Sequence, residues 1–149
     1  MAAVSPGAGI RALLVWLVII AAESVHGAVR RLLFTPDVDF AMRQLSVLVG
    51  AVMIFTITWV FVDWIHIRTA RRALAIGGVW VGLTVAFELA LGRLTGVAWD
   101  RIAADYDLPN GGLMPLGLLS MGLTPWAVRQ LKAHGTSPPD PPSSQRSTT

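Results

Sequence analysis

Four stretches of this chain are each near the twenty apolar residues that a helix needs to cross a bilayer, and this constrains the fold more than anything else in the sequence. They run from Ile10 to about Val29, Phe40 to Val62, Ala73 to Leu91 and Gly112 to Leu131. In hydrocarbon every backbone polar group must be satisfied internally, so each stretch is predicted as a helix. The fold class that follows is all-α: an integral membrane four-helix bundle with short loops and a disordered C-terminal tail. The second stretch is the cleanest, with no charge between Gln44 and Asp63. The fourth is diluted by glycines and holds two prolines. Pro115 falls in its first turn, where a missing N–H costs little, whereas Pro125 is expected to kink the helix or end it early.

Composition agrees with this reading. Charged residues make up 14% of the chain and mean hydropathy is +0.60, against about 25% charged in ordinary soluble domains. A soluble enzyme, a coiled coil and a nucleic-acid-binding domain are excluded. The sequence pI near 10.6 is mostly an arginine effect, since net charge is +3 and eleven of twelve basic residues are Arg, in no basic stripe. Cysteine is absent, which removes disulfides, thiolate metal sites and thiol catalysis. Residues 1–9 form an N-terminal segment, 10–131 the transmembrane domain and 132–149 a tail. From Gly135 that tail is rich in Pro, Ser and Thr and has nothing apolar to bury. The first stretch has some features of a cleavable leader. It is expected to be retained, because polar Glu23–His26 directly precedes the small residues at Gly27–Ala28 and the helical pattern continues into Ala28–Leu33.

With four crossings, the N-terminus, the second connection and the C-terminus share one side. That side carries Arg11, Arg68, Arg71, Arg72, Arg129 and Lys132. On the other side Arg30, Arg31, Arg43, Arg93 and Arg101 are mixed with Asp37, Asp39, Asp100, Asp105 and Asp107. The positive-inside rule then favours cytoplasmic termini. Trp64 and Trp126 fit interfacial belts, and Trp99 an outer loop that forms a short amphipathic helix over Val97–Ala104 and turns at Pro109–Gly112.

Ionisable residues inside spans are costly, so each is a candidate site. Glu23 lies roughly 18 Å along its helix from Arg11, and Glu88 roughly 24 Å from Arg72, at 1.5 Å per residue. Both fall in the acid-rich half, where the second span opens with Arg43 and Gln44. Glu23, His26, Gly27 and Arg30 share one helical face. Glu88, near Thr84 and Gly92 with Arg93 beyond, is expected to point into the bundle. The cluster Glu23, His26, Arg30, Arg43, Gln44, Glu88 and Arg93 admits three readings. It is a buried ion-pair network fixing helix register, a pocket for an ion, headgroup or small solute, or part of an ion path using steps such as Thr56, Thr58 and Thr84. Gly78, Gly82, Ala86 and Ala90 form a small-residue stripe suited to close packing with a helix of the same or a second chain. His26 and His66 lie near opposite ends, so they cannot share a haem, and Asp63 with His66 is too few ligands for a metal. No cofactor is implied. Ser24 sits beside Glu23 and His26, but neighbours within one helical turn point apart and make no triad.

Several local strings, Glu23-Ser24-Val25-His26-Gly27, Arg43-Gln44, Phe87-Glu88 through Gly92-Arg93, Trp99-Asp100-Arg101-Ile102 leading to Asp105-Tyr106, and Gly111-Gly112-Leu113-Met114, resemble a group of small uncharacterised bacterial integral membrane proteins. The resemblance covers about residues 10–131. It implies a four-helix protein of the bacterial inner membrane and adds weight to the outer polar cluster, but it supplies no reaction. The expected function is a non-enzymatic accessory or structural membrane protein. Its partners are the bilayer and either a second copy or a membrane-complex subunit, with no nucleic acid. The rival is an oligomeric ion or proton channel, or a small-solute transporter, using Glu23 and Glu88.

Overall fold

The computed structural model describes residues 6–33 and 40–135, without the side chains of Pro6, Arg31, Leu33 and residues 40–43. Asp37, Asp39 and the tail beyond Gly135 lie outside the described residues. Five α-helices and one 3-10 turn follow in order: α1 (Pro6–Leu33), α2 (Phe40–Ile65), α3 (Ala70–Leu94), α4 (Trp99–Tyr106), the turn Leu108–Asn110, and α5 (Met114–Gly135). Three helices are long and apolar enough to cross a membrane, over Gly7–Arg30, Gln44–Ile65 and Ala70–Leu94. At 22 residues α5 is as long as the second of these, but its glycines and prolines dilute its hydropathy.

The helices run past the bounds read from hydropathy, because a helix stops where its end groups are capped rather than where its side chains turn polar. Thr69 starts α3 early: its extended backbone lets the hydroxyl accept from the Arg72 N–H at 3.2 Å. Gly96, at φ 77°, ends it in a Schellman motif, with Val97 N donating to Gly92 O at 2.8 Å and Gly96 N to Arg93 O at 3.2 Å. The last helix corrects an expectation. Pro125 neither ends α5 nor shortens it, and the helix continues to Gly135. Pro125 cannot donate to the Met121 carbonyl, yet it is fully buried and packing holds the backbone around it. Residues 132–135 belong to this helix rather than to the tail, and residues 6–9 belong to α1 rather than to a separate N-terminal segment.

Core positions follow helical spacing in every long helix: Ala12, Val15, Trp16, Ile19 and Ile20 in α1; Ile54, Thr58, Val62 and Ile65 in α2; Ala73, Ile76, Trp80 and Thr84 in α3; Met121, Thr124 and Val128 in α5. α5 packs on both α2 and α3, α1 packs on α2, and α1 meets α3 over a shorter length. The tightest approach is between α3 and α5. A Cβ on Gly77 would collide with the Gly122 carbonyl, so the glycine hydrogen faces that oxygen in a Cα–H···O contact.

Side-chain bonds fix the direction of each helix. Arg11 Nη1 donates to Trp64 O at 3.1 Å, Lys132 Nζ to Asp63 Oδ2 at 2.6 Å, and Arg129 Nη2 to Arg68 O at 3.3 Å. The start of α1, the α2–α3 connection and the end of α5 therefore share one end of the bundle. At the opposite end α4 meets α5 and sets Ile102 against Gly92 of α3, and its Trp99, Ile102 and Tyr106 share one face.

Candidate functional site

Two polar groupings occur within the bundle, one central and one toward the α4 end. The central one joins three helices. The Trp16 indole N–H donates to Thr84 Oγ1 at 3.0 Å, and the Thr84 hydroxyl donates to Met121 Sδ at 3.1 Å. One turn away the Trp80 indole donates to the Ala12 carbonyl at 2.9 Å. The Thr58 hydroxyl turns back to Ile54 O at 2.8 Å, and Thr124 to Ser120 O at 2.7 Å. Both tryptophans are buried, and each polar tip is satisfied where water is absent, as a buried indole requires. Tryptophans at 59, 64, 99 and 126 are the exposed ones, whereas the two that organise the core look in sequence like ordinary members of apolar runs.

The second grouping begins where the core-facing line of α1 turns polar. Glu23 follows Ala12, Trp16 and Ile19 on that face, and it leans against Gly50 of α2. A Cβ at position 50 would sit 3.0 Å from Glu23 Oε2, so the glycine makes room for the carboxylate. Glu23 Oε1 is enclosed and has no hydrogen-bond partner among the described residues. Oε2 is 3.7 Å from His26 Nδ1, and His26 Nε2 is 3.4 Å from Ser46 Oγ. With the proton on Nδ1, the ring faces the carboxylate as donor and accepts from the serine hydroxyl.

This order, serine to imidazole to carboxylate, is that of a hydrolytic triad, with Ser46 of α2 rather than Ser24 in the nucleophile's place. Chemistry of that kind also needs donors aimed at a developing oxyanion. Ser46 lies in the second turn of a continuous helix, whose N–H groups are committed to the helical ladder, so this surround supplies none. What the arrangement offers is a partly enclosed acceptor pair that can hold a proton or a small cation between α1 and α2.

The other candidate residues are dispersed. Arg30 and Gln44 are exposed, and the Arg43 side chain lies outside the described residues. Arg93 stacks over Trp99 at 4.8 Å and donates to Val97 O at 3.4 Å, rather than turning inward to a glutamate. Glu88 is exposed in the chain, contrary to the expectation that it points inward. It continues the Trp80–Thr84 line one turn beyond Thr84, where that line is no longer buried. Its charge acts instead on α4. The hydroxyl of Tyr106 is shut from solvent with no hydrogen-bond partner among the described residues, and burial, then Glu88 and Asp105, push the phenol above its ordinary range. Tyr106 is the sole tyrosine. A tyrosinate absorbance titration should therefore give one midpoint above about 10, and Glu88→Gln should lower it part of the way. A wild-type midpoint at the free-phenol value would remove this placement of Glu88.

Among the described residues the small-residue stripe faces outward rather than onto a neighbouring helix. Gly78 and Gly82 meet no atom within 4 Å of an added Cβ, and Ala86 and Ala90 are exposed. Gly77, one residue away, is the glycine that is used. Its signal in sequence was the double glycine, which does not say which member faces the neighbour. No family model, curated protein or solved structure matches the chain.

Proposed function

We propose that the chain is a non-enzymatic, four-span membrane protein of the bacterial inner membrane, an accessory or structural subunit with cytoplasmic termini. In this reading α5 is the fourth span, because its C-terminal turns reach the end of α2 through Lys132 and the α2–α3 connection through Arg129. The arginine-rich end faces the cytoplasm, by the positive-inside rule. A C-terminal reporter active only in the cytoplasm checks that orientation.

The observation that carries the reading is the sealed centre. Trp80 and Ile19 are fully buried, and the hydroxyls a proton path would need are already bonded: Thr56 to Val52 O, Thr58 to Ile54 O and Thr84 to Met121 Sδ. Dry, satisfied polar contacts favour a fixed helix arrangement over a conduit. The oligomeric-channel alternative gains little from the stripe. At 100° per residue, Glu88 lies well over 90° around α3 from the centre of the Gly78–Ala90 face, so packing through that face does not aim Glu88 into a shared pore.

Purified protein in liposomes should show no flux of protons, alkali cations or halides above empty vesicles. Glu23→Gln should lower the folded yield, since the Glu23–His26–Ser46 seam ties α1 to α2. Wild-type flux abolished by Glu23→Gln at unchanged yield would establish the channel instead. Labelling of Ser46 by a fluorophosphonate would establish a hydrolase.

A further inference from the structure

Two cavities follow one another along one face of α3, that of Arg72, Ile76, Val79 and Leu83, and their linings differ sharply. The outer one, about 320 Å³, opens at the arginine-rich end of the bundle and is lined by Gly7, Ala8, Arg11, His66, Arg68 and Arg72. The next, about 240 Å³, begins one step further along both helices and is apolar, between Gly9, Ala12 and Leu13 of α1 and Ala75, Val79 and Leu83 of α3. The apolar groove exists because α1 and α3 touch over only a short length, with Trp80 at its floor.

We propose that these cavities together seat one anionic phospholipid, its phosphate held by Arg11, Arg68 and Arg72 and one acyl chain laid along the α1–α3 groove. Three guanidinium groups reach the cleft from three segments: α1, the α2–α3 connection and α3. Guanidinium is the side chain best matched to a phosphate by charge and fork geometry. Arg11 donates to the Trp64 carbonyl at 3.1 Å and lies 5.6 Å from the Trp64 ring, with His66 Nδ1 2.9 Å from its Nη1 and 2.8 Å from the same carbonyl. His66 reaches its position through a left-handed backbone, φ 61°, at the end of α2. Trp64 is exposed at the same level, where an indole marks the headgroup region.

Length argues for a lipid rather than a free phosphate. From Arg72 to Leu83 is eleven residues, roughly 16 Å along α3, about half of a hydrocarbon core roughly 30 Å thick. The groove thus spans one leaflet, with the arginines at its headgroup end. A soluble phosphate would use the first cavity and leave the second without purpose.

This inference rests on the membrane-spanning reading of α1 and α3. The full chain is reconstituted in nanodiscs holding equal phosphatidylglycerol and phosphatidylcholine, released into detergent, and its retained lipid is weighed by native mass spectrometry. Wild-type protein should retain phosphatidylglycerol in clear preference. Each arginine removed should cut that preference about fivefold, from about 1 kcal/mol per basic residue at an anionic surface. Arg68→Gln tests this at an exposed side chain, should the Arg11→Gln/Arg72→Gln pair fail to fold. Val79→Trp, at a position 60% exposed, fills the groove with the arginines intact and should lower retention of phosphatidylglycerol several-fold. Equal retention of the two lipids, or retention unmoved by Arg68→Gln, overturns the proposal. Displacement of lipid by inorganic phosphate, with Val79→Trp silent, assigns the cleft to a free phosphate instead. Protein that fails to float with vesicles overturns the spanning reading itself, whereas protein that floats without lipid preference overturns the seat alone.

Discussion

Gly77→Ala should destabilise the bundle by about 3 kcal/mol, while Gly78→Ala, one residue away, should leave it unchanged or slightly more stable. Both changes add one methyl to the same turn of α3, so helix propensity is common to the pair. They differ only in what the methyl meets. At Gly77 it drives into the Gly122 carbonyl of α5, a backbone atom that cannot rotate aside, whereas at Gly78 it enters open space. Relief requires α3 and α5 to separate along the broadest packing surface in the bundle, which also loosens Met121 and Trp80. Denaturation midpoints of the two variants in mild detergent, scored by tryptophan fluorescence, make the comparison. Equal midpoints would mean that α3 and α5 do not cross at these glycines.

Trp80→Ala should cost about 3–5 kcal/mol, the range for deleting a large buried aromatic. Trp80 has no exposed surface, and its ring lies in the core with the indole bonded to α1. Trp80→Phe keeps most of that volume but leaves the Ala12 carbonyl without its indole donor, so about 1–2 kcal/mol is expected. Thr84→Val should cost a similar amount, because the Trp16 N–H then lies buried with no acceptor. A Trp80→Phe variant as unstable as Trp80→Ala would assign the whole effect to the hydrogen bond, and one as stable as wild type would assign it to packing. Either outcome bears on whether the bonds between α1 and α3 hold those helices together or merely satisfy polar tips.

Much of the polar seam was legible without coordinates, and its limits are physical. Glu23, His26 and Arg30 share a face because the helical period says so, and the core line of α1 does turn polar at Glu23. Ser46 and Gly50 could not be found that way. Which residues of α2 oppose Glu23 depends on the axial register of two antiparallel helices, which in turn depends on the connection between them and on side-chain interlock. Glu88 failed for a related reason. Its face is the core face of α3, but a face is buried only as far as a neighbouring helix covers it, and burial on that face reaches Thr84 and not Glu88. The small-residue stripe shows the converse: spacing finds residues able to pack closely, and Gly78 and Gly82 remain uncovered because Gly77 points at α5.

Sequence alone determined that the chain is helical and strongly apolar, and that a short amphipathic helix interrupts the third connection. These are local properties: hydrocarbon-length runs demand internal backbone bonding, and Val97–Gly112 carries its own period and turn residues. Only the tertiary structure decided which glycine joins α3 to α5, that Trp16 and Trp80 bond across the core, that Pro125 is carried through α5, and that Arg11, Arg68 and Arg72 meet around one cleft. Each of these depends on the rotation and register of one helix against another. That is set by the fit of side chains distant along the chain, which hydropathy does not encode.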